Sequence, residues 1–203
     1  MRASGGAIDA VSIMDGALKC SVIGGGPPRG LCGSGLVDAT AAARELGWVA
    51  PSGRMNHGRK SIDLAGPVAL SQADIRELQL AKGAVVAGFT LLLEGRRLTP
   101  SRIFLAGAFG NYIQGEIARR IGLLPSRADH PTAVGNTALR GARTLLLAGT
   151  RRQQILDSVL ASTDHVELGS DPRFQDTFVD CMSFLVHSQS EGSQVARCGY
   201  SKP

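Results

Sequence analysis

Three features of this 203-residue chain predict an α/β fold in which helices flank a mixed sheet. Short apolar runs of strand length, such as residues 103–106, stop at glycines and restart with helical spacing. The 26 glycines suit a chain with many tight corners and are too many for a helical bundle. Hydrophobic residues make up 43% and charged residues 19%, enough apolar content at this length for one domain, or two small lobes, with a real core.

In chain order, Ala7 to Ile13 and Ala17 to Ile23 are two β-leaning runs around Met14-Asp15-Gly16. Asp-Gly between such runs signals a hairpin, because both turn residues tolerate φ > 0. Gly24-Gly25-Gly26-Pro27-Pro28 breaks regular structure. Arg29 to Gly35 then leads into an alanine-rich helix, Leu36 to Leu46, closed by Gly47. Residues 51–67 read as an exposed loop or short hairpin. Ser71-x-x-Asp74 supplies a capping-box start for the longest helix, Gln72 to Glu94, which Gly95 ends. Its Ile75, Leu78, Ala81, Val85, Phe89 and Leu92 recur every three or four residues, as one buried stripe requires. After the strand at 103–106 and its small-residue turn, a helix from Asn111 to Gly122 carries Ile113, Ile117 and Ile121.

Residues 125–131 read as loop, and Ala133-Val134-Gly135-Asn136 as the entry to a helix through Leu147. Thr150 is placed to cap a helix to Leu160, and Val166-Glu167-Leu168 has the composition of a short strand. Asp171-Pro172 suits the start of a last helix with Phe174, Phe178 and Met182 on one face. From Ser188 the chain turns polar and small, which predicts a folded unit over 1–187 and a disordered tail over 188–203. This order of elements fits half of an α/β architecture better than a complete doubly wound sheet.

The formal net charge of +5 comes largely from arginine, and two of the three doublets fall near helix ends, where cations complement the dipole. Aromatic residues total 4%, with no basic run interleaved among them, so no nucleic-acid groove is expected. Cys20, Cys32, Cys181 and Cys198 form no CxxC or Cys/His ligand spacing, and His57, His130 and His187 are scattered through loops and the tail border. No metal or iron–sulfur site is expected from them. Cys32 reads as a small core thiol and Trp48 as a packing anchor. No signal-peptide pattern is present, and the apolar stretch Ala84 to Leu93 is too short to span a bilayer. A cytoplasmic protein without membrane contact is the expectation.

The turn Gly107-Ala108-Phe109-Gly110-Asn111 is the most informative segment. A strand that ends in small residues and opens a helix presents bare backbone N–H groups at the edge where open α/β sheets bind ligands. The turn is neither GxGxxG nor a P-loop, and a corner that merely packs is the alternative. Gly33-Ser34-Gly35 likewise either cradles an anion or allows tight helix–sheet packing. Asn136 is a helix cap or a ligand.

Five blocks in order carry a resemblance. They are Met1-Arg2-Ala3 with Gly6-Ala7-Ile8, Gly30 to Leu36, Asp74 to Lys82, Leu105 to Asn111, and Val134-Gly135-Asn136 with Ala138, Leu139, Gly141 and Ala142. Together they resemble the reductive activators of corrinoid-dependent proteins over about residues 1–185. The resemblance implies a ribonuclease-H-like lobe of an actin-like ATPase, the superfamily of acetate and sugar kinases, actin and heat-shock chaperones. It implies ATP with magnesium, used to drive reduction of cobalt(II) to cobalt(I) in an inactivated corrinoid. A corrinoid protein or corrinoid-dependent methyltransferase would be the partner, with a homodimer also open.

By the same resemblance Gly107, Ala108, Phe109, Gly110 and Asn111 form the adenosine motif. Gln79 and Lys82 lie on the helix beside adenine and ribose; Gly33 and Ser34 join the nucleotide-binding set on the strength of their helix start alone, as an anion cradle. The family's ferredoxin cysteines and its Asp-Ile-Gly-Thr-Asn phosphate loop are absent from this sequence, so no iron–sulfur cluster is expected in the chain. The chain reads as a fragment of a longer protein. Two other functions fit the residues: a non-catalytic docking module for a corrinoid protein or like subunit, and a fragment of a small-molecule kinase of the same superfamily.

Overall fold

Asp15 and Gly16 take φ of 51° and 75°, so the first hairpin closes at the predicted turn. Strand β1, Ala7–Met14, pairs antiparallel with β2, Ala17–Val22, and parallel with the two-residue β3, Gly30–Leu31. The order β2-β1-β3 is a mixed sheet, as expected. The computed structural model describes residues 1–98, 100–107, 113–124 and 131–184. Ala108 to Asn111, most of the 125–131 loop and the tail from Ser188 lie outside these residues.

Helix α1, Gly33–Glu45, begins three residues before the predicted start and packs on β1. Nine of its residues are buried, five of them alanines or glycines among Gly35, Ala39, Ala41, Ala42 and Ala43. A side chain at Gly35 would overlap the carbonyl of Ile8, so the helix reaches the strand at backbone distance. Both expected forms occur within residues 51–67: 51–60 is turn and loop, with one bridge between Val49 and Met55, and a hairpin begins at Ser61 and runs on to Ser71. Strand β4, Ser61–Ala65, and β5, Val68–Ser71, make a hairpin whose Gly66 has φ of 53°. Trp48 packs against the core and carries the Arg59 guanidinium 4.7 Å above its ring.

Ser71 and Asp74 form the predicted capping box for α2, Gln72–Arg96. The helix runs through Gly95, and Arg97, at φ 51°, makes the left-handed stop instead. The predicted stripe holds in the first half, where Ile75 and Leu78 are buried, and fails in the second, where Val85 is 58% exposed. Gly83, Ala87 and Gly88 are buried there instead, because helix α6, Phe174–Asp180, and Leu168 pack against their small surfaces. The apolar stretch is also longer than expected. By length and composition α2 meets the criterion for a bilayer span, with a mean hydropathy of 1.3 and 28% of that window buried inside the protein.

Strand β6, Phe104–Ala106, is followed by α3, Gly115–Arg120, with Ile117, Ile121 and Ile113 against the core. Thr132–Gly135, read as a helix entry, is strand β7. Helix α4, Thr137–Leu147, follows, then a 3-10 turn and α5, Arg152–Ala161, whose N-cap is Arg151 and not Thr150. The expected strand at 166–168 is absent. Leu168–Ser170 forms a 3-10 turn instead, with the Leu168 side chain against Gly88 of α2. Neither α4 nor α5 buries a residue, and Leu139, Leu146, Leu147, Val159 and Leu160 stand exposed.

The core gathers Ile8, Val37, Leu70, Ile75, Ile121 and Phe184 from both ends of the chain. Gly35→Ala drives a methyl into the Ile8 carbonyl and is expected to lower stability by about 1–3 kcal/mol. Gly141→Ala, in α4 with nothing within 4 Å of the new methyl, is expected to raise it by roughly 0.5–1 kcal/mol through helix propensity. Thermal melts of the two variants check both signs.

Candidate nucleotide site

Strands β6 and β7 lie parallel, with Phe104 opposite Thr132, Leu105 opposite Ala133 and Ala106 opposite Gly135. The Thr132 amide also donates to the Ile103 carbonyl at 2.9 Å. Both strands therefore finish at one edge, β7 on Gly135 at φ 75° and β6 one residue before Gly107 at φ 89°. Among the described residues, chain neighbours aside, no atom lies within 4 Å of where a Cβ at Gly107 would sit. Asn136 resolves as a cap: its Oδ1 accepts from the Leu139 amide at 3.0 Å and starts α4 at the same edge. Glycine corners and a helix N-terminus at the C-terminal edge of a parallel pair suit an anionic ligand. Of the five predicted turn residues, Gly107 is placed here. The other four fall outside the described residues.

Sequence reading missed β7. The signal that found β6, a short apolar run ending on glycine before a helix, also marks Ala133-Val134-Gly135.

Gln79 and Lys82 stand one turn apart on α2, and both hold the chain's own C-terminal segment. The Lys82 ammonium, in a residue 3% exposed, donates to the carbonyls of Cys181 at 2.5 Å and Ser183 at 2.8 Å. The Gln79 amide donates to Ser52 at 3.0 Å and Met182 at 3.1 Å. Gly83, one residue on, allows Met182 and the Phe178 carbonyl to approach. Burial pushes the Lys82 ammonium down to about 8. Gly33 and Ser34 open α1, but Ser34 is buried and its hydroxyl meets the Cys32 thiol at 3.2 Å. No hydrogen bond among the described residues joins that turn to Gln79, Lys82 or Gly107. Among the described residues no group of three or more His, Cys, Asp and Glu side chains could hold a metal ion.

The family profile described as the C-terminal domain of RACo, the ASKHA domain, matches residues 1–195. The chain belongs to this family. The match runs past Ser188, into the stretch read as tail. The chain is 35% identical over 209 residues to the corrinoid activation enzyme RamQ of Eubacterium limosum, covering 88% of this chain and 35% of RamQ. It is 28% identical over 160 residues to the [Co(II) methylated amine-specific corrinoid protein] reductase of Methanosarcina barkeri, covering 76% of this chain and 29% of that one. A solved structure of a reductive activator for a corrinoid, iron–sulfur protein matches with a TM-score of 0.80 at 30% identity, over 93% of this chain and 34% of the other. The expected actin-like α/β architecture is thus the fold of this ASKHA domain. The chain spans about a third of the length of these relatives.

Two outcomes follow for Lys82. Between pH 8 and its usual 10.5 the folded state binds fewer protons here than the unfolded chain, so this group makes stability rise with pH over that window. Lys82→Met should abolish that increment in pH-dependent melts. The same variant removes the donor shared by the two carbonyls. Hydrogen exchange at the Phe184 amide should quicken about tenfold, a local loss of about 1.4 kcal/mol.

Proposed function

We propose that this chain is the nucleotide-binding lobe of an ATP-dependent reductive activator of corrinoid proteins. The observation that carries the reading is the shared edge of β6 and β7, where Gly107 and Gly135 both turn at positive φ beside the start of α4. A nucleotide fits there on local grounds, since no described residue beyond the chain neighbours occupies the space a Cβ would take at Gly107. Gly107 with Ala108, Phe109, Gly110 and Asn111 would hold the adenosine, and the start of α4 would face the phosphates. Magnesium would enter with those phosphates, and in this reading its protein ligands belong to the lobe that carries the family's phosphate loop.

When bound, ATP supplies the free energy that lobe closure couples to reduction of cobalt(II) to cobalt(I) in the partner's corrinoid. The partner in this reading is a corrinoid protein or corrinoid-dependent methyltransferase, met in the cytoplasm without nucleic acid or membrane. The uncovered apolar side chains of α4 and α5 support contact with a further polypeptide surface, either the rest of the activator or a second subunit. Gln79 and Lys82, resembling adenosine contacts, would serve the nucleotide from a helix already tied to the C-terminal segment. That tie favours a second reading, a docking module that binds no nucleotide.

Calorimetric titration with ADP and magnesium, in a protein carrying both lobes, separates the two. Gly107→Ala and Gly107→Leu share the strain of a side chain at φ 89°, so any difference between them reports bulk. Gly107→Leu is expected to bind ADP at least tenfold more weakly than Gly107→Ala, about 1.4 kcal/mol, with both melting alike. Equal affinities in two folded variants would remove Gly107 from the site.

A further inference from the structure

Strand β3 covers only Ala7 and Ile8 of β1. Beyond them, a cavity of about 300 Å³ opens between that edge of β1, helix α1 and helix α3. Val11, Ile13, Ala41, Ala42 and Ile117 give it aliphatic walls, Asp38 and Glu45 of α1 contribute acids, and Ser12 and Gln114 add neutral polar groups. Asp38 is 2% exposed. One of its oxygens, Oδ2, accepts from the Val11 amide at 3.3 Å. The other, Oδ1, is buried with no hydrogen-bond partner among the described residues.

Three charged groups surround Asp38. Asp9 on β1 also has a buried, unpartnered Oδ1, and its charge disfavours ionisation of Asp38. Arg120 on α3 is the cation of the lining, and it is paired with Glu45 of α1. Burial first, offset by the Val11 amide and reinforced by Asp9, pushes the Asp38 carboxyl up to about 6. A carboxylate so placed is stabilised by a positively charged donor. A single water, with a share of about 30 Å³ of liquid volume, would fill only a fraction of the cavity. The aliphatic part of the wall, at Val11, Ala41 and Ile117, offers apolar contact to a short hydrocarbon stem.

We propose that this cavity binds a free short-chain primary amine in its ammonium form, with the nitrogen donating to Asp38 and the stem lying against Val11, Ala41 and Ile117. The assignment is independent of the nucleotide reading, because it uses neither the β6–β7 edge nor α2.

The test follows the Val11 amide by NMR in phosphate buffer while n-propylammonium chloride is titrated into the full chain. 1-Propanol serves as the neutral isostere. A saturable shift is expected with the ammonium at pH 7, at least tenfold weaker with propanol and in Asp38→Asn, and retained in Arg120→Ala. Lowering the pH from 7 to 5 should weaken ammonium binding roughly tenfold, because Asp38 loses its charge across that range. If Asp38→Asn melts early, the propanol and pH comparisons on the unaltered chain decide. Equal response to propanol, no saturation, or pH-independent binding would overturn the site. A blocked lysine amide binding more tightly than n-propylammonium would overturn the free amine in favour of a partner's side chain.

Discussion

The close seat of α1 on β1 is the constraint from which the core is built. Gly35 places helix backbone against the Ile8 carbonyl, and the alanines that follow keep the helix slim enough to be buried along most of its length. Around that axis the β4–β5 hairpin, α2 and α3 take their places in one apolar cluster, since each contributes a buried residue facing α1. A bulkier helix would hold the sheet and α2 farther apart and leave voids that close-packed interiors do not tolerate. The buried acid of Asp38 is a product of the same closeness, drawn in to serve the Val11 amide where the strand edge has lost its neighbour.

Helix α2 works on two fronts. Its first turns complete the apolar cluster through Ile75 and Leu78, and its middle grips the returning C-terminal segment through Lys82, Gln79 and Gly83. The resemblance assigns Gln79 and Lys82 to a nucleotide, whereas their visible bonds are to carbonyls of this chain. A lysine ammonium carries donors enough for both carbonyls, so one side chain holds the segment at two points.

Local chemistry made much of the architecture legible. Asp15-Gly16, the Ser71–Asp74 box and Gly47 are short-range signals whose geometry is set within a few residues, and each acts where the sequence places it. The misreadings arose where distant packing decides. Val85 and Leu92 look like core in a helical stripe, yet glycines are buried there because α6 comes in from 100 residues away. Strand β7 is four residues long and owes its extension to pairing with β6, which no window of sequence displays. The candidate site was legible at Gly107, where a glycine ends an apolar run, and at Asn136 as one of two readings. Asp38 was not singled out, because an aspartate among alanines on a helix gives no sign of facing the interior.

Phe184 is fully buried, and its amide donates to the Pro51 carbonyl at 2.7 Å. On a ribosome the hairpins and α1 emerge long before this side chain, so the apolar cluster must wait for it with one face unfilled. Vectorial synthesis thus leaves the early part of the lobe with an uncovered apolar face for the time it takes to translate about 110 residues, an interval of several to tens of seconds. A core closed by one of its later-made parts keeps that apolar face open until the part arrives.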